Sequence, residues 1–417
     1  MPIGYFDKKI GTLDDINVEG KKVLLRVDIN SPIDPKTGDI LDDTRFRSHL
    51  ETIETLIDQK AAVVIMSHQG RPTSSDFTRL DKHAKLLSSL LGTDVDYVPD
   101  VIGPEALRRI QQLSPGQVLL LDNTRLVSED YVEAPPEVHS KGIMVMTLSK
   151  HVDYYVNDAF ATAHRSQASI VGFPLVLPSV AGKLMEREVK TLSRVLSKDE
   201  RPKVFVLGGA KVKDTIKVIK YVVEAGVADE ILTTGLVALL FLLVSGVNIG
   251  EAESVVKSKV NEKTVETARN LIASGAPIRV PLDFYAEIDG NVELVDASNI
   301  TGAPKDIGPS TIEYYSWKIR SAKIIVMRGP AGVIEDPRFR RGTRELVESA
   351  LRSNAFTIFG GGHFNAILSE FPEELRRRVG HISTGGGALL YFLANRKLPG
   401  LESLARSYEK FFTGDSS

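Results

Sequence analysis

Short apolar runs alternate along the chain with longer segments whose apolar residues are spaced three or four positions apart. In the N-terminal part the short runs are KKVLLRVDIN, AAVVIMSHQG, QVLLLDNTR and HVDYYVNDA, and helical spacing appears in TRFRSHLETIETLIDQK and LDKHAKLLSSLLG. Continuous apolar runs are typical of strands that are buried on both faces. Strands that alternate with amphipathic helices predict βαβ units around a parallel sheet.

The same alternation returns in the C-terminal part of the chain. Its short runs are PKVFVLGGA, DEILTTG, AKIIVMRGP, NAFTIFGGG and VGHISTGGG, and each ends in a cluster of turn residues. The two sets of strands are similar in pattern but not in sequence, so we predict no internal repeat. The pattern predicts a second domain of the same class.

One long helical pattern, PSVAGKLMEREVKTLSRVLSKDERP, separates the two sets of strands. It starts after a proline and stops near Pro202, as a helix that connects two domains does. The predicted fold is α/β, with two doubly wound, Rossmann-like parallel-sheet domains joined by a hinge helix. We expect domains at 1–177 and 201–396, the hinge helix at 178–200, and a tail at 397–417 that packs back toward the hinge or the first domain.

The composition is that of an ordinary globular protein, with 42% hydrophobic and 25% charged residues among 417. The absence of cysteine excludes disulfides, thiolate metal sites and a cysteine nucleophile, and it fits a reducing cytoplasm. The N-terminus lacks the apolar region of a signal peptide. The longest apolar run, GLVALLFLLVSGV, is too short for a membrane span, so we expect a buried helix and no membrane partner.

The charge distribution argues against a nucleic-acid partner. The chain has a net charge of −2; residues 1–180 carry 19 basic and 25 acidic side chains, a net of −6, and the remainder carries +4. Neither part has the excess of basic residues typical of a nucleic-acid-binding surface. Any recognition of anions must therefore come from local clusters.

The first such cluster follows the strands of the N-terminal part, where ligands of doubly wound sheets bind. Its members are Arg26, Asp28, Asn30, Arg45, Arg47, His68, Arg71, Arg125, Asp158, His164 and Arg165. A single arginine at a strand end most often caps the strand or pairs with a surface carboxylate. Several at successive strand ends favour a small polyanion, because guanidinium forks bind phosphate and carboxylate bidentately. His68 and His164 could be bases or metal ligands, but neither has a metal-like neighbour, and we favour hydrogen bonding to a substrate.

The second cluster consists of glycine-rich turns after the C-terminal strands, in VLGGAKVKD, MRGPAGVIED, IFGGGHFNA and STGGGALL. Such turns opening a helix expose amides that suit phosphate, although glycines also serve tight turns. Four of them at one sheet edge favour a nucleotide. The spacings of the P-loop and of the dinucleotide-binding GxGxxG motif are both missing, which disfavours a P-loop NTPase and a Rossmann dehydrogenase.

Taken together and in order, these motifs resemble the phosphoglycerate kinase family, in its archaeal form. The resemblance runs from about Lys21 to Leu401 and rests on RVDIN, DDTR, SHQGRP, DNTR, VNDAFATAHR, LGGAKV, GPAGVIE and STGGGA followed by LPG. It implies a cytoplasmic two-domain enzyme, monomeric or homodimeric, that bends at its hinge. The implied reaction is reversible phosphoryl transfer between 1,3-bisphosphoglycerate and ADP, giving 3-phosphoglycerate and ATP. The alternative is another carboxylate-phosphorylating kinase on the same fold, or a binding protein that has lost catalysis.

The resemblance also implies roles for individual residues. Substrate binding falls to Asp28, Ile29, Asn30, Arg45, His68, Gln69, Gly70, Arg71, Arg125 and Arg165. Nucleotide binding falls to Gly208, Gly209, Lys211, Glu335, Gly360, Gly361, Gly362, His363, Ser383 and Thr384, with Glu335 on the ribose. Catalysis falls to Arg45, Lys211 and the amides of Gly386 and Gly387, which would face the transferring phosphoryl group.

The chain departs from the family pattern at three positions of the nucleotide site. Thr215 stands where many members have a second lysine, for which the neighbouring Lys213 is the expected substitute, and Arg328 replaces the usual asparagine. His363 follows the triple glycine, where most members have an aspartate that binds magnesium. Because Mg²⁺ prefers oxygen ligands to imidazole, we expect Mg²⁺ with ATP or ADP but leave its protein ligands unassigned.

Overall fold

The computed structural model describes residues 1–361, 363–393 and 396–413. The chain forms two compact units. Unit 1 comprises Met1–Ser193 and Lys397–Ser417, and unit 2 comprises Arg194–Arg396. The boundary lies within the segment predicted to be the hinge helix.

Unit 1 contains a six-stranded parallel sheet with the strand order β5-β6-β4-β3-β7-β8. Its strands are β3 (Lys22–Arg26), β4 (Ala62–Met66), β5 (Val95–Val98), β6 (Val118–Leu121), β7 (Tyr154–Asn157) and β8 (Ser179–Ala181), and a hairpin of β1 (Ile3–Tyr5) and β2 (Lys8–Ile10) precedes them. The four strands read from the sequence are thus β3, β4, β6 and β7. The prediction of a parallel sheet is confirmed for this unit.

Helices lie between these strands, and their apolar faces meet the apolar strands in the core. The helices are α1 (Thr44–Asp58), α2 (Asp81–Leu91), α3 (Pro104–Gln112), α4 (Pro136–His139), α5 (Ile143–Leu148) and α6 (Lys183–Leu196). Phe46 and Ile53 of α1 are fully buried beside Leu25 and Ile65 of the sheet. This burial is the main source of stability for such a layer, and it holds the loops at the carboxyl ends of the strands in place.

The long helical pattern before unit 2 is shorter in the structure than the predicted 178–200. Ser179–Ala181 form β8, whose residues pair in parallel with Tyr155–Asn157, and the helix α6 begins only at Lys183. Residues 179–181 are buried and contain the β-branched Val180, which suits a strand at the sheet edge. At its other end, α6 stops at Leu196, four residues before the predicted end at 200.

Unit 2 contains a second six-stranded parallel sheet, in the order β11-β10-β9-β15-β16-β17. Its strands are β9 (Lys203–Leu207), β10 (Glu230–Thr233), β11 (Ile278–Arg279), β15 (Ile324–Arg328), β16 (Phe356–Gly360) and β17 (His381–Ser383). The helices are α7 (Val212–Glu224), α8 (Gly235–Val244), α9 (Ala252–Lys259), α10 (Glu262–Ala273), α11 (Pro309–Arg320), α12 (Arg341–Arg352), α13 (His363–Leu368), α14 (Glu373–Arg376) and α15 (Gly387–Leu393). The apolar run GLVALLFLLVSGV forms α8, and Val237–Leu242 are buried, as predicted.

A small antiparallel sheet in unit 2 was not predicted. It has the order β13-β12-β14 and consists of β12 (Asp283–Ile288), β13 (Asn291–Asp296) and β14 (Ala303–Ile307). Asp289 and Gly290 both have positive φ angles and connect β12 to β13 as a two-residue turn. An Asp-Gly pair between alternating segments is a strong hairpin signal, so the sequence contained the information.

The last helix, α16 (Pro399–Phe411), packs within unit 1 against β2, β8 and the irregular helical turns at 168–175. The Ser407 hydroxyl accepts a hydrogen bond from the backbone N–H of Ser179 (2.9 Å) and donates one to the carbonyl of Leu177 (3.1 Å). The tail is thereby bound to the edge strand β8. No helix in the described residues is long and apolar enough to cross a membrane.

Candidate active site

The carboxyl ends of β3, β4 and β7 bring the first polar cluster together in unit 1. The strand register sets Arg26 opposite Met66 on one side and Asn157 on the other. The segments that follow these strands, from Asp28, His68 and Asp158 onward, therefore start at the same sheet edge. This is the edge where ligands bind in doubly wound sheets.

Asp28 is the acidic centre of this cluster, with 4% of its surface exposed. It forms an ion pair with Arg45 in the first turn of α1. Burial opposes ionisation of Asp28, but the positive charges of Arg45 and Arg26 outweigh it and hold the pKa of the carboxyl below its usual range. Asp28 therefore remains negative and holds the Arg45 guanidinium at the sheet edge.

A buried histidine connects Asp28 to Asp158. The Nε2 atom of His49 accepts the backbone N–H of Asp28 (3.0 Å), so the imidazole proton lies on Nδ1, which donates to Asp158 Oδ2 (2.7 Å). The Thr52 hydroxyl donates to the same carboxylate oxygen (2.8 Å). Through these bonds α1 is held against β3 and β7, which places Arg45 relative to the strand ends.

The predicted substrate ligand His68 is buried beside Arg26. Burial lowers the pKa of His68 well below its usual value and the neighbouring arginines lower it further, although Asp28 opposes them, so the ring is neutral at neutral pH. Arg26 Nη2 lies 3.1 Å from Nδ1, and a guanidinium can only donate. The proton of His68 is consequently on Nε2, where it can donate to an anion.

Arg125 and Arg165 complete a group of arginines with too few carboxylates to neutralise it. Arg125 is 5% exposed and donates to the carbonyl of Gly70. Burial, together with the charges of Arg165 and Arg26, lowers the pKa of Arg125 to about 10 even though Asp130 opposes this shift. Burial and neighbouring arginines lower the pKa of Arg165 in the same way, against the effect of Asp28. A bound anion would remove this mutual repulsion.

The loop after β4 supplies the other predicted ligands of this unit. Gly70 has φ +63°, donates its N–H to Asn30 Oδ1 (3.0 Å), and has no room for a Cβ atom because the backbone at Asp76 and Phe77 would lie 2.6 Å away. The Gln69 side chain accepts from the backbone of Ser31 and donates to it. The loop is thus fastened to the segment after β3.

Two other predicted residues of unit 1 add no buried polar side chain to this network. Ile29 is buried, and its backbone N–H is bound by the Ser67 hydroxyl (3.2 Å), so only its main chain takes part in the polar edge. The Arg71 side chain is exposed, and its backbone N–H is bound by Ser74 Oγ (2.8 Å).

In unit 2 the register aligns the ends of four strands. Arg328 at the end of β15 lies between Leu207 of β9 and Gly360 of β16, and Gly360 pairs with Ser383 of β17. All four predicted glycine-rich turns follow these residues and so start from one sheet edge. Gly329, with φ +76°, lies so close to the Gly208 carbonyl that a Cβ atom would collide with the backbone.

A largely apolar cavity of about 360 Å³ opens beside two of these turns. Leu236 and Leu239 of α8 and Val255 of α9 line it together with Phe284 of the small sheet. Gly209, Pro330 and Ala331 form part of its wall and the exposed Glu335 belongs to its rim. A largely apolar cavity with a carboxylate at its rim suits a nucleobase and a ribose.

A second cavity of about 220 Å³ shares Gly209, Ala210 and Pro330 with the first. It is lined by Gly208, Gly209, Ala210, Lys211, Thr215, Arg328, Gly329, Pro330, Gly360 and Gly361. The lining contains two cations, Lys211 and Arg328, and no carboxylate, and Lys211 is the residue that precedes α7. This composition suits phosphate.

Not every predicted nucleotide ligand lines these cavities. Ser383, Thr384, Gly386 and Gly387 stand at the same sheet edge, with Gly387 at the start of α15 and the Gly385 N–H bound by Ser383 Oγ (3.1 Å), but they are not part of either lining. Gly362 lies outside the described residues. His363 opens α13, and its side chain lies outside the described part of the chain.

Several residues of the two sites were missed or left unassigned at the level of sequence. Arg26 was noted at its strand end but given no ligand role, whereas His49, Phe284 and Asp306 were not singled out. The hairpin signal at Asp289-Gly290 could have found the small sheet that carries Phe284. Nothing in the local sequence marks His49, because its partners are 21 and 109 residues away.

Asp306, in the wall of the larger cavity, is expected to make the stability of the protein depend on pH. It is 2% exposed, and burial raises its pKa to about 7 although it accepts the N–H groups of Gly342 (2.7 Å) and Ile307 (2.9 Å). Because this folded-state pKa exceeds the unfolded value, the stabilisation is complete below about pH 4 and is lost as the pH rises through about 7. The loss is on the order of 4 kcal/mol.

Urea unfolding of the wild type and of Asp306→Asn at pH 4.5 and pH 7.5 measures this effect. The asparagine variant should lack this contribution, so the wild type should lose stability relative to the variant as the pH rises. Parallel pH profiles for the two proteins would contradict the assignment.

The protein is thus an α/β protein of two units, with an arginine cluster at the sheet edge of unit 1 and two glycine-lined cavities at the sheet edge of unit 2. The family model for phosphoglycerate kinase matches residues 13–396. The chain therefore belongs to the phosphoglycerate kinase family.

Relatives and solved structures agree with this membership. The phosphoglycerate kinase of Aeropyrum pernix is 54% identical over 413 residues, covering 99% of both chains, and that of Sulfurisphaera tokodaii is 49% identical over 404 residues, covering 96% of this chain and 97% of its own. The crystal structure of phosphoglycerate kinase from Pyrococcus horikoshii superposes with a TM-score of 0.88 at 41% identity, over 96% of this chain and all of that one. The predicted family and α/β fold are confirmed.

Proposed function

We propose that this chain transfers a phosphoryl group reversibly between 1,3-bisphosphoglycerate and ADP, with 3-phosphoglycerate and ATP as the products. The observation that carries the proposal is the arginine cluster of unit 1. Buried guanidinium groups repel one another there and lack enough carboxylates, and a ligand with a phosphate and a carboxylate would neutralise them. 3-Phosphoglycerate is such a ligand.

The phosphoglycerate is held by Arg125, Arg165 and Arg71, with His68 Nε2 as a neutral hydrogen-bond donor. Asp28 and Asn30 shape the site and hold Arg45 and the Gly70 loop in place. Arginine forks bind phosphate at two points, which fixes orientation as well as position. This orientation is what an in-line displacement needs.

The nucleotide occupies the two cavities of unit 2. The base lies in the 360 Å³ cavity with Glu335 at the ribose, and the phosphates lie in the 220 Å³ cavity next to Lys211. The shared residues Gly209, Ala210 and Pro330 mark the point where the ribose joins the phosphate chain. The amides of Gly386 and Gly387 remain proposed donors at the neighbouring turn.

The chemistry requires no general base. The attacking group in the ATP-consuming direction is a carboxylate, which is ionised at neutral pH. The transition state instead needs compensation for the charge spread over the equatorial oxygens of the transferred group. Arg45, which Asp28 holds in place, and Lys211 supply that compensation as positive charges.

Magnesium enters this account as part of the nucleotide substrate. The lining of the smaller cavity has no carboxylate, and the described residues contain no group of three or more His, Asp or Glu side chains that could hold a metal ion. These residues do not fit a resident magnesium site of their own. We propose that Mg²⁺ arrives as MgATP or MgADP, held by phosphate oxygens and water.

A coupled assay tests the reaction. The protein is mixed with ATP, MgCl₂ and 3-phosphoglycerate, and glyceraldehyde-phosphate dehydrogenase with NADH reports the acyl phosphate. NADH oxidation that depends on all three components supports the proposal, and its absence with pure, folded protein would refute it. A second assay of ADP release should show far slower turnover with glycerate, which lacks the phosphate that the arginines bind.

A further inference from the structure

Arg328 ends β15 and lines the 220 Å³ cavity with Lys211, and no role follows for it from the family motifs. We propose that Arg328 binds the phosphate chain of the nucleotide and gives the site its preference for a diphosphate over a monophosphate. This inference rests on the proposed placement of the nucleotide phosphates in that cavity.

The guanidinium of Arg328 has a fixed position. Its Nη1 donates to the Thr215 hydroxyl (3.3 Å), and that hydroxyl donates in turn to the carbonyl of Lys211 (3.1 Å). A hydroxyl has one proton, so its donation to Lys211 leaves only lone pairs for Arg328. Thr215, which is fully buried in α7, therefore holds the guanidinium beside the first turn of that helix.

The charge of Arg328 has no counterion within ion-pair distance among the described residues. Other arginines of unit 2 do: Arg194 pairs with Glu200 (2.6 Å), and Arg201 pairs with Asp229 (2.6 Å). Burial lowers the pKa of Arg328, and the charge of Asp214 only partly opposes this shift. A half-buried cation with most of its five N–H donors unused is stabilised by an anion that enters the cavity.

The surroundings of Arg328 select for a phosphate as that anion. The cavity wall also includes Gly360 of β16, the neighbouring strand, which pairs with Arg328. Lys211 adds positive charge, and none of the lining residues is acidic; the acidic residue in the first turn of α7, Asp214, is not part of the lining. Lys213, the expected substitute for a second lysine, is exposed and does not line the cavity, whereas Arg328 does.

The preference for ADP over AMP follows from the number of charges. The cavity holds two cations, and a second phosphate adds the charge and the free oxygens that a guanidinium binds bidentately. AMP engages fewer of these donors. Removing the Arg328 charge should therefore weaken the binding of ADP more than the binding of AMP.

Isothermal titration calorimetry with ADP and with AMP, in MgCl₂, measures this preference. Arg328→Gln should lower the affinity for ADP about 10- to 100-fold, the range expected for lost hydrogen bonds between charged groups. The affinity for AMP should fall less than about threefold. The double variant Thr215→Lys, Arg328→Gln moves the cation to the neighbouring position and should recover part of the ADP affinity. Lys217→Gln, which removes an exposed lysine of α7 outside both cavities, should change neither affinity.

Lys211→Gln separates a failure of this inference from a failure of the nucleotide placement. If Lys211→Gln weakens ADP but folded Arg328→Gln keeps the wild-type ratio of ADP to AMP affinity, the role of Arg328 is refuted and the placement stands. If neither variant weakens ADP binding, the phosphates do not lie in this cavity, and both the role of Arg328 and the placement of the nucleotide are refuted. If Lys213→Gln lowers the ratio of ADP to AMP affinity and Arg328→Gln does not, the role belongs to Lys213.

Discussion

Replacing Arg45 with alanine is expected to lower kcat roughly 10³-fold, the scale seen when a cation that compensates transition-state charge is lost in phosphoryl transfer. Arg45 is held at the sheet edge of unit 1 by the ionised Asp28, so its charge is preorganised and needs no rearrangement during the reaction. The affinity for ADP should stay within about twofold, because the nucleotide cavities belong to unit 2. Steady-state kinetics and calorimetry with ADP measure both quantities.

Arg47→Ala is the matched control for this prediction. Arg47 lies two positions further along α1, is exposed, and pairs with Asp43 (2.8 Å) on the helix surface. Its removal should leave kcat unchanged. A loss of ADP affinity in Arg45→Ala equal to the loss of kcat would take Arg45 out of its proposed role.

Replacing Arg125 with glutamine is expected both to weaken the binding of 3-phosphoglycerate and to stabilise the ligand-free protein. Burial and the neighbouring arginines lower the pKa of Arg125 to about 10, which corresponds to a destabilisation of the buried charge on the order of 3 kcal/mol. Glutamine removes that charge and keeps an N–H donor for the Gly70 carbonyl. We expect KM for 3-phosphoglycerate to rise about 10²-fold and the melting temperature to rise by about 1–3 °C.

This opposition of stability and function distinguishes a ligand site from a structural arginine. Arg108→Gln, which removes an exposed arginine paired with Glu105 (2.5 Å), should change neither KM nor the melting temperature. Thermal unfolding with and without 3-phosphoglycerate completes the comparison, because the ligand should stabilise the wild type far more than Arg125→Gln. A variant that is less stable and binds substrate normally would show that Arg125 only supports the fold.

The parallel sheets could be predicted because their strands are buried on both faces. VLLR, VVIM, VFVL and IIVM are continuous apolar runs that end in polar or glycine residues, and each is a strand of one of the two sheets. The short strands were harder. Ser179–Ala181 owe their conformation to pairing with β7, a partner more than twenty residues away, so the local pattern before Lys183 looked helical.

The sequence showed which types of residue form the candidate site, but it did not show the hydrogen bonds that join them. Arginines after successive strands predicted an anion site, because parallel strands end at one edge. The bond from His49 to Asp158 and the bond from Arg328 to Thr215 each join segments more than a hundred residues apart. Such tertiary hydrogen bonds leave no local periodicity in the sequence. From the sequence, Thr215 was only the position of a missing lysine, whereas in the structure its hydroxyl binds Arg328.

A crystal structure of the protein with 3-phosphoglycerate and ADP is the most direct test of the central claim, that unit 1 binds the acid and unit 2 binds the nucleotide. We predict the phosphate of 3-phosphoglycerate within hydrogen-bond distance of Arg125 and Arg165, and the ADP phosphates in the cavity lined by Lys211 and Arg328. Phosphoglycerate bound away from the arginine cluster, or ADP bound outside the two glycine-lined cavities, would contradict the account.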